Sequence, residues 1–217
     1  MVWNRLLAGI VLIIVMLISM VYMLLKRKHL ERGSGYYISA IAFLTVIEIS
    51  ILIGKHFNEN FNPMLLYIIG VNFFVFLLFF LFFQNILKVQ RLKTMNGVII
   101  ALFILNYLYF AIFSKDFFEV FPFLSYFIQV VLLTGSIYLV ISQTFNSDKI
   151  LTLSTYFPFW VCLSLLVIYL GVLPLLIVSY TAANYMNLNV FYAIIFLVNM
   201  IGYILLIIGV YKAKNES

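Results

Sequence analysis

The sequence is poor in charge and has almost no cysteine. Charged residues make up 9% of its 217 residues, whereas 66% are hydrophobic and 18% are aromatic. A typical soluble domain is about one quarter charged and about one half apolar, so this composition excludes a soluble domain and predicts a chain that lies in a lipid bilayer. The single cysteine, Cys162, excludes an intramolecular disulfide and a zinc site built from a cysteine cluster.

Ionisable groups are also scarce inside the apolar runs. Glu48 is the one deep carboxylate, and no Asp, Lys, Arg or His lies at depth. An intramembrane Ser–His dyad needs a histidine, an aspartyl pair needs two carboxylates, and a metal hydrolase needs several ligands. We therefore expect a non-enzymatic protein that holds no metal ion and no cofactor.

Long apolar runs are what the sequence has in abundance. A bilayer core about 30 Å thick is crossed by about 20 apolar residues of helix, whereas a β-barrel would show polar alternation. Seven runs qualify, and the loops between them hold only 7 to 13 residues each. The sequence predicts an all-α polytopic membrane protein in which residues 1–217 form a single seven-helix transmembrane bundle, with spans at about 4–25, 36–54, 64–84, 97–113, 121–143, 157–180 and 188–211.

Lysine and arginine are distributed unevenly between the two sides of these spans. Ten lie on one side, and three (Arg5, Lys55 and Lys115) lie on the other. Because cytoplasmic loops are enriched in Lys and Arg, we expect the N-terminus outside, the C-terminus in the cytoplasm, and the chain in the inner (cytoplasmic) membrane of the cell. The net charge of +6 is interpreted as this topology signal and not as a nucleic-acid footprint. The ten residues are Lys26, Arg27, Lys28, Arg32, Lys88, Arg91, Lys93, Lys149, Lys212 and Lys214.

Four polar residues on four different spans lie at a similar depth. At about 1.5 Å per residue of helix, all four lie about 9 to 12 Å from the outer boundary. Polar and ionisable groups at such depth are costly and mark ligand or proton sites. If these side chains face one interior, they form a polar pocket open to the outside. The four are Glu48, Asn72, Asn106 and Gln129.

The same residues also have a purely structural interpretation. Asparagine and glutamine tie transmembrane helices together through hydrogen bonds worth about 0.6 to 2 kcal/mol. A protonated glutamic acid serves as one more such donor. Both interpretations stay open at this point.

Two other features bear on function. In the sixth span Pro174 follows Gly171 and predicts a kink, because proline frees a backbone carbonyl one turn earlier. The stretch from Gln84 to Asn96 is interpreted as interfacial, and with the first loop it predicts a cytoplasmic basic surface that contacts anionic headgroups or a partner. That surface consists of Lys26, Arg27, Lys28, Lys88, Arg91 and Lys93.

Familiar seven-helix families can be tested on the last span. Microbial rhodopsins have a retinal-binding lysine there, and this span has none before Lys212. G-protein-coupled receptors have an N-P-x-x-Y motif, and Asn199 to Tyr203 has the Asn and the Tyr but lacks the Pro.

Five short stretches carry another resemblance. They are Thr45-Val46-Ile47-Glu48-Ile49, Leu66-Tyr67 before the Phe-rich third span, Phe159-Trp160, Ile168-Tyr169-Leu170-Gly171, and Val198-Asn199-Met200-Ile201 before a basic tail. In this pattern the chain resembles a group of small membrane proteins of Bacteroidota, which are similar to seven-helix sensory modules. The resemblance implies that Glu48 is characteristic of the group, and it implies no substrate.

Three functions are compatible with these observations. The first is a sensory or regulatory subunit that acts through a separate protein partner, since we expect no output domain after the last span. The second is a small-molecule or ion transporter or channel with Glu48 as its coupling carboxylate. The third is a structural subunit of a larger membrane complex. The expected partners are the lipid bilayer, a protein partner or a second copy of the chain, and a small-molecule ligand from the outer side, with no nucleic acid.

Overall fold

A computed structural model describes residues 5–58, 61–181 and 187–213. Within these ranges the chain has no strand, and seven helices are long and apolar enough to cross a membrane. The prediction of an all-α, seven-helix chain is confirmed. The helices are α1 (Arg5–Leu25), α2 (Ser34–Phe57), α3 (Leu66–Ile86), α4 (Gln90–Phe113), α5 (Phe123–Phe145), α6 (Phe157–Thr181) and α7 (Leu188–Lys212). Asn4 of the first predicted span and Lys214 of the basic tally lie outside the described residues.

The fourth span differs from its prediction. It begins at Gln90, about two turns before the predicted residue 97, so most of the stretch 84–96 is helix and not an interfacial loop. Arg91 and Lys93 lower the local hydropathy, but Arg and Lys are good helix formers. Asn96 is buried, and its Nδ2 donates a hydrogen bond to Gln84 Oε1 of α3 at 2.8 Å, so the first turns of α4 are tied to the neighbouring helix.

Each helix packs against the next one along the chain, and α1 also packs against α7. Because the connections are short, consecutive helices run in opposite directions. Of the seven, α3 is the most buried and α4 the least. The bundle is therefore arranged around α3.

The core of the bundle is aromatic. Five phenylalanines of α3 are fully buried, and the Phe76 ring lies 4.9 Å from the Tyr169 ring of α6 in an edge-to-face arrangement. Since lipid tails are as apolar as these side chains, close packing and ring geometry hold the helices together here. The five are Phe76, Phe79, Phe80, Phe82 and Phe83.

Polar contacts join the helix ends on one side of the bundle, which we call the basic end: the connections 26–33, 87–89 and 146–156 together with Lys212. Lys26 Nζ donates to the Tyr211 carbonyl oxygen at 3.0 Å, which joins the last turns of α1 and α7. Lys149 forms an ion pair with Glu31. This pair joins the connection that precedes α2 to the connection that precedes α6. Residues 58 and 61–65, between α2 and α3, and the connection 114–122 lie at the other side, which we call the opposite end.

Glycines allow α6 and α7 to approach closely. A Cβ atom at Gly171 would lie 2.7 Å from Val198 Cγ1, and one at Gly209 would lie 2.3 Å from Trp160 Cβ. Pro174 lies inside α6, which continues through it to Thr181. Proline removes the hydrogen bond to the Leu170 carbonyl at this point, so the backbone of α6 is locally weakened close to the contact of Gly171 with α7.

Candidate functional site

A cavity of about 510 Å³ lies between α1, α2, α3, α5, α6 and α7. Near the opposite end its lining residues Lys55 and Tyr192 are exposed, whereas nearer the basic end Tyr37 and Phe79 are fully buried. We therefore place the mouth at the opposite end, where Gly9 also lines the cavity, and the floor toward the basic end. Small-molecule sites typically enclose about 300 to 1,000 Å³. The cavity is therefore large enough to hold a small organic ligand.

Glu48 of α2 lines this cavity and is half-buried. The Tyr67 hydroxyl of α3, another lining group, donates a hydrogen bond to Glu48 Oε1 at 3.1 Å. A carboxylate accepts hydrogen bonds and attracts cations. The pair places one anionic or acidic group, held from a neighbouring helix, in the wall of the cavity.

Tyr67 owes its position to an unusual backbone. Residues Leu66–Val75 form a π-helix before α3 continues as an α-helix from Phe76. The Tyr67 N–H donates to the Pro63 carbonyl oxygen at 3.1 Å, and Gly70 lies so close to α2 that a Cβ there would be 2.4 Å from Ile47 Cδ1. π-Helical turns are rare and occur frequently at functional sites.

Lys55 lies two turns beyond Glu48 on the same face of α2. It lines the mouth of the cavity and is exposed. Seven residues of helix place the two groups about 10 Å apart along the axis. The negative group therefore lies inside the cavity, and the positive group lies at its entrance.

The remaining walls combine phenol rings with aliphatic side chains. Asn199 of α7 contributes an amide to the wall, although its Nδ2 donates to Ile195 O of its own helix at 2.8 Å. Aliphatic lining groups come from α1, α2, α6 and α7. The tyrosines that line the cavity are Tyr37, Tyr67, Tyr126, Tyr169, Tyr192 and Tyr203.

An aromatic layer closes the floor. The Tyr37 ring lies 5.5 Å from the Phe79 ring, 5.3 Å from the Phe82 ring and 6.3 Å from the Phe157 ring. Val161 and Val210, which lie nearer the basic end, are fully buried. Within the described residues the cavity is therefore open toward one end of the bundle and closed toward the other.

The structure does not bring the four predicted polar residues into one pocket. Asn106 Nδ2 donates to Ser125 Oγ at 3.1 Å, and Gln129 Nε2 donates to the same oxygen at 3.4 Å, so these two side chains meet on α5. Asn72 is buried in α3, where its neighbour Val71 lines the cavity. Similar depth along the helices does not imply a shared face, because each α-helical residue turns the side chain by about 100°.

Asn72 and Gln129 each keep one buried polar atom without a hydrogen-bond partner among the described residues. These atoms are Asn72 Nδ2 and Gln129 Oε1. Asn106, by contrast, bonds across two helices, from α4 to α5, which is the geometry of a residue that ties helices together.

Of the residues that line the cavity, only Glu48 is among the predicted site residues. The polar lining residues that the sequence analysis does not single out include Tyr67, Lys55 and Tyr192. The helical spacing could have identified Lys55. Residues three, four and seven positions apart share one face of a helix, and Lys55 follows Ile41, Leu44 and Glu48 on the face of α2 that lines the cavity. Tyr67 depends on the π-helix, which the apolar pattern of the third span does not reveal.

The predicted basic surface lies at the basic end. Arg27, Lys28, Lys88 and Arg91 are exposed, whereas Lys93 is half-buried. Lys26 is engaged within the bundle, since its Nζ also lies 5.4 Å from the centre of the Tyr211 ring.

Tyr156 lies beside this surface, at the start of α6. Burial raises the pKa of the Tyr156 hydroxyl above its ordinary value, and Lys149 Nζ lies 4.0 Å from the centre of its ring. The phenol is therefore neutral at physiological pH, and Lys149 is held between this ring and Glu31.

In the part of the chain that the structure describes, no group of three His, Cys, Asp or Glu side chains is placed to hold a metal ion. Cys162 is buried as a free thiol. The chemistry that the cavity offers is binding through one carboxyl group, phenols and an amide.

Comparison of the chain with protein-family models, with curated proteins and with solved structures finds no match in any of the three. Seven helices of this length and hydropathy indicate a multi-pass membrane protein that forms a helical bundle.

Proposed function

We propose that the chain is a non-enzymatic sensory subunit of the bacterial inner membrane that binds a small molecule in the Glu48 cavity and acts through a separate protein partner. The observation that carries this proposal is the cavity itself, open at one end, closed by aromatic packing at the other, and lined by one half-buried acidic side chain among the described residues. A binding site without a through-path suits a receptor better than a conduit. The resemblance of the chain to a group of small membrane proteins of Bacteroidota, which are themselves similar to seven-helix sensory modules, supports the same proposal.

The coupling would run through the helices that carry the ligand contacts. Glu48 belongs to α2, which begins at the basic end, and Tyr67 to the π-helical part of α3, which ends there. A ligand that binds Glu48 competes with the Tyr67 hydroxyl. If it binds more tightly when α3 is rewound, it shifts the bundle toward that state, and the exposed basic residues change their position relative to a partner.

The basic end is proposed to face the cytoplasm, with the N-terminus outside. The excess of Lys and Arg on that side supports this orientation. The cavity mouth then faces outward, which gives a ligand from outside direct access.

Cysteine labelling tests the orientation. Cys162 is buried and gives a silent background, whereas Glu119 of the opposite end and Arg32 of the basic end are both exposed. We expect a membrane-impermeant thiol reagent to label Glu119→Cys in intact cells and Arg32→Cys only after the membrane is opened. The reverse pattern would contradict the proposed orientation.

A pull-down from the native host in mild detergent, measured by quantitative mass spectrometry, tests the proposed function. We expect one protein to be recovered in near-stoichiometric amount. Glu48→Gln should change that recovery while the amount of folded chain stays the same, and Glu119→Gln, which removes an exposed carboxylate at the same end, should not. Recovery of the chain alone would contradict a partner-coupled function.

A transporter is the second candidate, because a carboxyl group inside a membrane cavity also suits coupled transport. Flux in proteoliposomes separates the two functions. A receptor gives none, whereas flux that Glu48→Gln abolishes would replace our proposal with transport. A partner whose recovery is indifferent to Glu48 would instead favour a structural subunit.

A further inference from the structure

The chemistry of the cavity selects a class of ligand, and this inference rests on the proposed function. Among the described residues, its walls hold a single carboxyl group, that of Glu48, and a single cationic group, that of Lys55 at the mouth. A negative ligand group that reached Glu48 would be repelled, and a neutral one would leave the carboxylate without a counter-charge. A cationic group satisfies both its charge and its hydrogen-bonding capacity.

The phenol rings that line the cavity also favour a positively charged ligand group. Tyr67, Tyr192 and Tyr203 line the cavity together with Glu48. The face of an aromatic ring attracts an ammonium group within about 6 Å. A carboxylate in a cavity that is also lined by phenol rings therefore favours an ammonium group over a neutral hydroxyl.

The rest of the cavity fits a hydrocarbon body. Leu12, Leu44, Leu165, Ile168 and Val172 line it from α1, α2 and α6. A volume of about 510 Å³ leaves room for a ring or a short alkyl chain beyond the ammonium group.

We propose that the cavity binds a small amine with a hydrocarbon body, whose ammonium group donates to Glu48 and takes the place of the Tyr67 hydroxyl. The hydrocarbon part packs among the aliphatic side chains, and Lys55 remains at the entrance.

Binding to the purified protein in neutral-lipid nanodiscs tests this proposal. The probes are 2-phenylethylamine, 2-phenylethanol and 3-phenylpropionate, which share a ring and differ in the charge of the end group. We expect the amine to bind the wild-type chain at least about tenfold more tightly than the other two, since charge-assisted hydrogen bonds are worth about 1.5 to 3 kcal/mol. Equal binding of the alcohol, or no binding of the amine, would overturn the proposal.

The variants locate the binding. Glu48→Gln should lose the preference for the amine, and Glu119→Gln should keep it, because Glu119 is exposed in the connection 114–122. A preference that survives Glu48→Gln would overturn the site. The probe series on the wild-type chain gives a result even where Glu48→Gln fails to fold.

The two proposals fail separately. Amine binding without any effect of Glu48 on partner recovery contradicts the sensory function and leaves the amine site standing. Partner recovery that depends on Glu48, without selectivity for the amine, contradicts the amine site alone.

Discussion

Gly209→Leu is expected to abolish most of the folded protein. A Cβ atom at Gly209 would lie 2.3 Å from Trp160 Cβ and 2.6 Å from Trp160 Cγ. These atoms cannot swing aside, because they lie at the root of a side chain whose Nε1 donates to the Ser154 carbonyl oxygen at 2.9 Å. Overpacking costs about 1 to 3 kcal/mol and occasionally more, and the side chain of leucine at this contact would force α6 and α7 apart.

The measurement is the amount of monodisperse protein after size-exclusion chromatography in mild detergent, together with its thermal midpoint. Gly97→Leu is the matched control, since a Cβ at Gly97 has no atom within 4 Å. Both variants gain the helix propensity of leucine, about 1 kcal/mol over glycine, so the difference between them is steric. Wild-type yield of Gly209→Leu would show that the close approach of α6 and α7 is not required.

Gly9→Phe is expected to block the cavity without disturbing the fold. Gly9 lines the mouth, and a Cβ there meets no atom within 4 Å. A phenyl ring placed at this position occupies space that a ligand needs. We expect amine binding to weaken at least about tenfold, which corresponds to about 1.4 kcal/mol.

Gly97→Phe is the control for this variant, because it adds the same ring at an equally open glycine outside the residues that line the cavity. Titration of both variants with 2-phenylethylamine in nanodiscs makes the comparison. Unchanged affinity of Gly9→Phe would place the ligand elsewhere.

The sequence predicts the seven helices well, because the energy of unpaired backbone groups in lipid leaves few alternatives to long apolar helices. Its weak point is the start of α4. The apolar run of the fourth span begins at about residue 97, but α4 already begins at Gln90 and includes Arg91 and Lys93. Long basic side chains can extend to the headgroups, so these residues are compatible with a membrane helix. Hydropathy marks the lipid core and not the last turns of a helix.

The candidate site was predictable only in part. Glu48 is singled out by its charge at depth, and the structure places it in the cavity. Rotation about the helix axis decides the rest. Asn106 and Gln129 share its depth but turn toward Ser125, whereas Asn199, on α7, faces the cavity.

The partner of Glu48 depends on a feature that hydropathy does not reveal. Tyr67 reaches Glu48 from a π-helical segment whose ten residues are as apolar as an ordinary membrane helix. Gly70 permits the close contact with Ile47 that accompanies this winding. A periodic pattern reports which residues are apolar, and it does not report how tightly the backbone is wound.

The central claim is that occupancy of the Glu48 cavity controls a partner at the basic end. Its most direct test is the recovery of that partner with wild-type chain, Gly9→Phe and Gly97→Phe, each expressed in the native host and quantified by mass spectrometry against the amount of folded chain. We predict that Gly9→Phe changes the recovery at least about threefold, a shift of about 0.7 kcal/mol in the association free energy, and that Gly97→Phe leaves it unchanged. Equal recovery from all three would contradict the claim that the cavity and the partner are coupled.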